Sequence, residues 1–208
     1  MSNLPAATLD RAETSTGRPF TAPDLYETDI QRLTYLLEEL RCLMGRVYEG
    51  STSITPFEPI TWTVHGLRRR TVVCDPMRLG ERRDICVVGF FGERTFGPDT
   101  ASLEMADTAV VLEFRDYPGI LAYSSMELAD RNWANLVLHT APEDREAWRG
   151  GATHARAVAE LAPIHYRTVR IHNGSLPVGL LGGRAITIER TKYWDYTVPD
   201  VWHAVREW

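Results

Sequence analysis

The sequence predicts an α+β fold built on one β-α-β-β-α-β unit between about residues 84 and 196, carried behind an N-terminal helical extension. Three observations predict it. Residues 85–91, ICVVGFF, form a continuous β-branched and aromatic run, too short for a buried helix, that reads as a central strand. Residues 120–128 and 133–140 are two β-rich runs joined by the polar turn Ala129-Asp130-Arg131-Asn132, a connection of the length hairpins use. Segments of helical periodicity flank this hairpin on both sides.

In chain order, residues 1–23 are rich in Ser, Thr, Ala and Pro without any period, and read as a flexible N-terminal arm. Residues 24–83 form a helical and irregular extension. It opens with Leu25, Ile30, Leu33, Leu36, Leu37, Leu40 and Leu43/Met44 at helical spacing, bounded by Asp24 and by Gly45 or Gly50. Pro56, Pro59 and Pro76 then interrupt two β-like runs, 60–67 and 71–74, which suggest a hairpin or irregular strands.

The main domain, 84–208, begins with the central strand. Pro98-Asp99-Thr100 supplies caps for a helix with Leu103, Ala106, Val110, Val111 and Phe114 on one face, and Tyr117-Pro118-Gly119 stops it. After the hairpin, residues 142–161 are helical in pattern, with Ala147, Trp148, Ala155, Val158 and Leu161 apolar. Gly150-Gly151 breaks that pattern, at a cost of about 1 kcal/mol per glycine relative to Ala, so a kink or two short helices is expected. Residues 164–183 read as an insert containing an extended run, 166–171, and a Gly/Pro-rich loop. The last strand is 185–193, and Val201, Trp202, Val205 and Trp208 give the tail helical spacing.

Composition narrows the function. With a formal net charge of -5, the chain has no global attraction to polyanions, so neither nucleic acid nor a membrane surface is expected as a partner. Arg68-Arg69-Arg70 with Arg82-Arg83 lacks interleaved aromatics and reads as a solvated or ion-pairing loop. Cys42, Cys74 and Cys86 are odd in number and widely spaced, which fits a reducing cytoplasm rather than a disulfide framework. No basic-then-apolar leader and no long apolar run is present, so the expectation is cytoplasmic. The sequence lacks a G-x-S-x-G elbow, both Gly-rich phosphate loops, and any H-x-x-E or H-E-x-x-H spacing, so a zinc site is not indicated.

Strand, helix, Pro-Gly stop, hairpin, helix, strand is the ferredoxin-like order. Tyr117-Pro118-Gly119-Ile120-Leu121, the hairpin after it, and the helix carrying Trp148 and His154 together resemble the dimeric α/β-barrel superfamily of antibiotic-biosynthesis-monooxygenase-like proteins, over about half of the chain. In that family a Pro-Gly commonly opens the second strand, and a Trp and a His can follow each other on the second helix. The resemblance implies a ferredoxin-like dimeric α/β barrel, a homodimer with sheets face to face, and a cleft between sheet and helices. Family members use that cleft as cofactor-free oxygenases, heme-binding oxygenases, lactone isomerases or cyclases. The implied function is a small-molecule enzyme of specialised metabolism, oxidative or rearranging, an oxidoreductase with heme as a possible cofactor. The alternative is a non-catalytic ligand-binding or assembly protein, which the long N-terminal helix and aromatic tail would suit.

His154 is the first candidate catalytic residue, because a neutral imidazole facing a cleft can act as general base or as axial iron ligand. The alternative is a helix-surface His at a dimer interface. His165, Tyr166, Arg167, Arg170 and His172 form a second cluster, and strand alternation places Tyr166, Arg170 and His172 on one face, able to meet an anionic or phenolic substrate. An exposed edge strand made aggregation-resistant by its charges explains the same pattern. Along 133–139, alternation sends Ala134, Leu136 and Leu138 to the core and Trp133, Asn135, Val137 and His139 to the other face. Trp133 and Asn135, with Trp148, are thus candidate substrate contacts, or else Asn135 faces solvent or a partner. Tyr193, in the aromatic tract 190–196, could donate a hydrogen bond to a substrate oxygen, or serve only as core.

Overall fold

The computed structural model of the chain describes residues 6–95, 97 and 101–208, with side chains described at all of these except 102–104. The cap expected at 98–100 and the Leu103 side chain lie outside the described residues. The strands are β1 (Ala7–Leu9), β2 (Ile60–Val64), β3 (Leu67–Val73), β4 (Ile85–Arg94), β5 (Ile120–Glu127), β6 (Trp133–His139), β7 (Tyr166–Leu176), β8 (Thr187–Asp195) and β9 (Trp202–Glu207). They form one nine-stranded sheet in the order β1-β9-β8-β7-β4-β6-β5-β3-β2. Among the described residues, only the β1–β9 pair is parallel.

This sheet overturns the expected ferredoxin-like dimeric α/β barrel. It is a single mixed sheet whose outermost strands, β1 and β2, do not meet, so it is open rather than closed. The physical reason lies at its edges. A four-stranded unit leaves two rows of backbone N–H and C=O groups unpaired. Here the β2–β3 hairpin covers one row by pairing with β5, and β8, β9 and β1 extend the other beyond β7.

Three segments therefore change their meaning. The extended run inside the expected insert is the start of β7, which pairs directly with β4. The expected last strand, 185–193, corresponds to β8 and lies one place further out. The tail is β9 and not a helix: Ala204 and Arg206 are buried on one side of it, and a buried arginine does not register in an apolar period. Within the 1–23 arm, residues 7–9 form a strand, and residues 60–73 of the extension belong to the same sheet.

Helices cover both faces. On one, α1 (Asp24–Tyr48) buries Leu33, Leu36, Leu37, Leu40 and Met44 against Val87, Phe91, Leu136 and Leu138. Its close approach depends on Gly89, where a Cβ would lie 2.6 Å from Leu33 Cδ1. The short α2 (Pro76–Leu79) starts on Asp75, whose carboxylate accepts the Arg78 N–H at 2.9 Å. The opposite face carries α3 (Ala101–Glu113), α4 (Pro142–Arg149), α5 (Ala152–Arg156), a π-helical turn (Ala157–Leu161) and α6 (Ala162–His165). Gly150 and Gly151 divide α4 from α5, as their helix cost predicts. A smaller core of Val72, Val111, Phe114, Tyr123, Val137 and Trp148 joins these helices to the sheet. Among the described residues, no helix is long and apolar enough to cross a membrane.

Candidate functional site

The helices on the second face do not fill the space above the strands. Strand alternation directs Val88 and Phe90 of β4, Tyr123 of β5, Asn135 and Val137 of β6, and Ile171 of β7 to that face. The roof above them uses small residues, Ala106 of α3, Ala157 of the π-helical turn and Ala162 of α6, with Val110, Val158 and Leu161 between. Short roof side chains over a broken helix path leave a cavity of about 700 Å³. Sites for small molecules typically measure roughly 300–1,000 Å³ and are mostly apolar with a few polar groups, as here.

The polar groups of the lining are unusual in their pairing. Asn135 Oδ1, Trp148 Nε1 and His154 Nδ1 are buried without a hydrogen-bond partner among the described residues. Leaving such an atom unpaired costs about 1–3 kcal/mol. Burial lowers the His154 pKa, against smaller opposing effects of the Arg149 backbone and the Glu113 carboxylate, so the imidazole is neutral at pH 7. Its ring packs on Trp148 with centroids 4.5 Å apart, and Trp148 in turn packs on His139 at 5.6 Å. His139 is fully buried with both ring nitrogens unpartnered, and burial, with the nearby Arg145 charge, pushes it down to about 4.

Charge enters the cavity from β3. Its alternation places Arg68 and Arg70 on this face with Val72. Arg70 grips Asp107 of α3 through two bonds, Nη1 to Oδ2 at 2.6 Å and Nη2 to Oδ1 at 2.8 Å, and also donates to the Tyr123 hydroxyl at 3.2 Å. Burial, with Asp107 adding to it, pushes the Tyr123 phenol up to about 12. Arg68 pairs with Glu127 at 3.3 Å and lies 5.0 Å from the Trp133 ring. At the end of β4, Arg94 and Tyr166 oppose each other, and the Tyr166 ring packs on Phe90 at 5.5 Å. Gly92 makes room for that ring, since a Cβ there would lie 2.4 Å from it.

Of the residues expected at a site, the fold brings Trp133, Asn135, Trp148, His154 and Tyr166 together around this cavity. It does not bring Arg170, His172 or Tyr193 there. A register shift between Glu93 and Arg94 sets Tyr166 apart from the alternation of the rest of β7, so the expected single face with Tyr166, Arg170 and His172 does not exist. Arg170 opposes Phe91 and His172 opposes Gly89, on the face under α1. There the Asp29 carboxylate of α1 accepts from Arg170 at 2.7 and 3.0 Å and pairs with His172 Nε2 at 3.0 Å. Tyr193 is buried with Phe20 and Ala204, and its hydroxyl accepts from Arg206 at 2.7 Å. Sequence reasoning missed Arg70, Asp107, Tyr123 and Arg94. The signal for Arg70 was present: read as a strand, residues 67–73 put Arg68, Arg70 and Val72 on one face.

Among the described residues, no group of three or more His, Cys, Asp or Glu side chains could hold a metal ion. Heme, implied by the family resemblance with His154 as its ligand, does not fit this lining. The Trp148 ring lies against the imidazole, and the unpartnered nitrogen is buried rather than open to the cavity.

No protein-family model matches the chain, and no curated protein matches it significantly. Among solved structures, the crystal structure of protein SO0527 from Shewanella oneidensis is similar over 46% of this chain and 93% of that one, at 13% identity and a TM-score of 0.40. A likeness of that degree says nothing about family or function.

Proposed function

We propose that the chain binds a small, partly apolar organic molecule in the cavity between the sheet and the helices of its second face. One observation carries this reading: a half-open cleft of about 700 Å³ lies between sheet and helices, walled mainly by Val88, Phe90, Val110, Val137, Leu161 and Ile171. A concave and mostly apolar surface of this size is the usual form of a small-molecule site. A ligand takes the apolar surface of those walls out of water, and an N–H or O–H on it satisfies Asn135 Oδ1.

A second reading makes the same molecule a substrate, and the neutral His154 favours it. For this the Trp148 ring must swing off the imidazole and open Nδ1, which then takes a proton from an activated O–H or C–H, leaving a substrate anion and an imidazolium beside Glu113. A rearrangement then returns the proton to another substrate atom. An oxidation instead passes the anion's electrons to dioxygen, which the reaction must bring in.

The test uses a roof substitution, Ala157→Trp, which fills the cavity. Wild-type protein incubated with a cellular metabolite extract and examined by native mass spectrometry retains a small molecule that Ala157→Trp does not. Equal retention by both proteins sinks the binding reading. Consumption of the retained molecule, slowed about 10²-fold or more in His154→Gln with retention unchanged, supports the enzyme. Retention without consumption makes the chain a binding protein.

A further inference from the structure

The charges of the cavity lining do not balance. Among the described residues, four arginines, Arg68, Arg69, Arg70 and Arg94, line it with a single carboxylate, Asp107. The chain as a whole carries a formal charge of -5, so this excess of positive charge is local. Two of the arginines are neutralised, Arg70 by Asp107 at 2.6 Å and Arg68 by Glu127 at 3.3 Å. Arg69 spends its guanidinium on the backbone carbonyls of Arg68 and Glu127, at 3.0 and 2.9 Å.

Arg94 is different. Its backbone N–H donates to Asn132 at 2.8 Å, while its guanidinium makes no hydrogen bond or ion pair among the described residues. Opposite it in the β4–β7 ladder stands Tyr166, another lining residue whose hydroxyl makes no hydrogen bond there. Burial raises the Tyr166 pKa strongly, so the phenol keeps its proton and can only donate or accept as a neutral group. A guanidinium fork and a phenolic O–H at one end of an apolar cavity form a cluster of donors paired with no carboxylate among the described residues.

We infer that the ligand is an organic acid, with its carboxylate held by the Arg94 guanidinium and the Tyr166 hydroxyl and its apolar body lying along β4 toward Val88 and Trp148. This inference rests on the cavity being the binding site. Arg94 and Val88 are six residues apart on β4, which at the strand rise corresponds to about 20 Å, so the acid is elongated rather than compact. A carboxylate completes the fork with two parallel N–H···O bonds, a geometry that a lysine cannot reproduce.

A matched pair of fluorescent probes tests this. Anilinonaphthalene sulfonate carries an anionic group, and N-phenylnaphthylamine offers nearly the same arylamine body without charge. In a fluorescence titration, wild-type protein binds the anion about tenfold or more tightly than the neutral probe, the size of a charge-assisted hydrogen bond. Arg94→Gln brings the anion to the level of the neutral probe and leaves the neutral probe unchanged. Tyr166→Phe, which removes only one hydroxyl, weakens the anion alone and carries the test should Arg94→Gln not fold. Equal affinities that neither substitution alters overturn the assignment of an acid while leaving the cavity reading intact. Probe binding that survives Ala157→Trp places both probes outside the cavity, and then the cavity reading itself falls.

Discussion

Asp29, Arg170, His172 and Thr191 show how one set of residue types can mean chemistry or architecture. A Thr–His–Asp chain is a familiar way to activate a nucleophile. Here each member is closed off: Asp29 and Thr191 have no exposed surface, and His172 is 1% exposed. The Trp208 indole N–H donates to the Thr191 hydroxyl at 2.6 Å, and the hydroxyl in turn meets His172 Nδ1 at 2.8 Å. With a neutral ring, every donor in the chain has an acceptor, ending at Asp29. Burial would raise the Asp29 pKa, but the bonds from His172 and Arg170 outweigh it and lower it, so the carboxylate stays charged and ties α1 to the sheet. The alternation that nominated Arg170 and His172 was legible in the sequence, and so was the helix α1, whereas the packing of α1 over these two residues was not. His139 gives the residue-scale prediction. Its folded pKa of about 4 lies below the unfolded value of about 6.5, so the unfolded chain binds the proton first as pH falls. Its share of stability is whole above pH 6.5 and is lost down to about pH 4, where it amounts to about 3 kcal/mol at about 1.4 kcal/mol per pH unit. Urea unfolding at several pH values should show this slope, reduced by that amount in His139→Phe. An unchanged slope in the variant would mean that His139 is protonated or solvated in the folded state.

At the scale of elements, the centre of the sheet could be read and its margins could not. The strands β4, β5 and β6 announce themselves because their side chains are apolar on both faces or alternate cleanly, and burial enforces those patterns. The margins obey other constraints. β9 buries Arg206, which donates to the Asp10 carbonyl at 3.0 Å and to the Tyr193 hydroxyl at 2.7 Å, so its inward face includes a charge. β7 begins at a bulge, which shifts one residue and thereby reverses the face of Tyr166 relative to Arg170. Neither feature leaves a mark in a hydrophobic period. The contact between α1 and β4 is more legible in hindsight, since Gly89 is the one residue of the ICVVGFF run without a side chain. Gly89→Ala should destabilise the protein by about 1–3 kcal/mol, because the new methyl must displace the fully buried Leu33. Leu33→Ala should cost about 2–5 kcal/mol alone. In the double variant the two losses should not add, since the second removes the group that the first collides with. Strict additivity in chemical denaturation would show that helix and strand yield independently.

Over the whole molecule, the two faces of the sheet divide the work. The face under α1 is closed by apolar packing and the Asp29 network, while the face under α3–α6 holds the cavity. The N-terminal residues belong to neither: β1 pairs in parallel with β9 at the sheet edge farthest from β2. Leu9 is 5% exposed and packs in a small core with Phe20, Tyr193 and Ala204, and the carbonyls of Asp10 and Glu13 accept from the buried Arg206. Deleting residues 1–13 removes all of these partners and uncovers the β9 edge. Burying a leucine contributes about 1.5–3 kcal/mol, and each acceptor lost to a buried charge costs about as much again. That sums to about 4.5–9 kcal/mol, and for a chain of this size 1 kcal/mol shifts the melting midpoint by roughly 2–4 °C, so the deletion should lower it by about 9–36 °C. It should also promote association through the uncovered edge at high protein concentration, visible in light scattering. Its effect on the cavity should be small, because β8 lies between β9 and β7, the nearest strand of the lining, and none of the deleted residues lines the space. Titration with anilinonaphthalene sulfonate below the lowered midpoint should therefore return the wild-type affinity. A loss of affinity parallel to the loss of stability would show that the cavity is held open by the whole sheet rather than by its central strands and their helices.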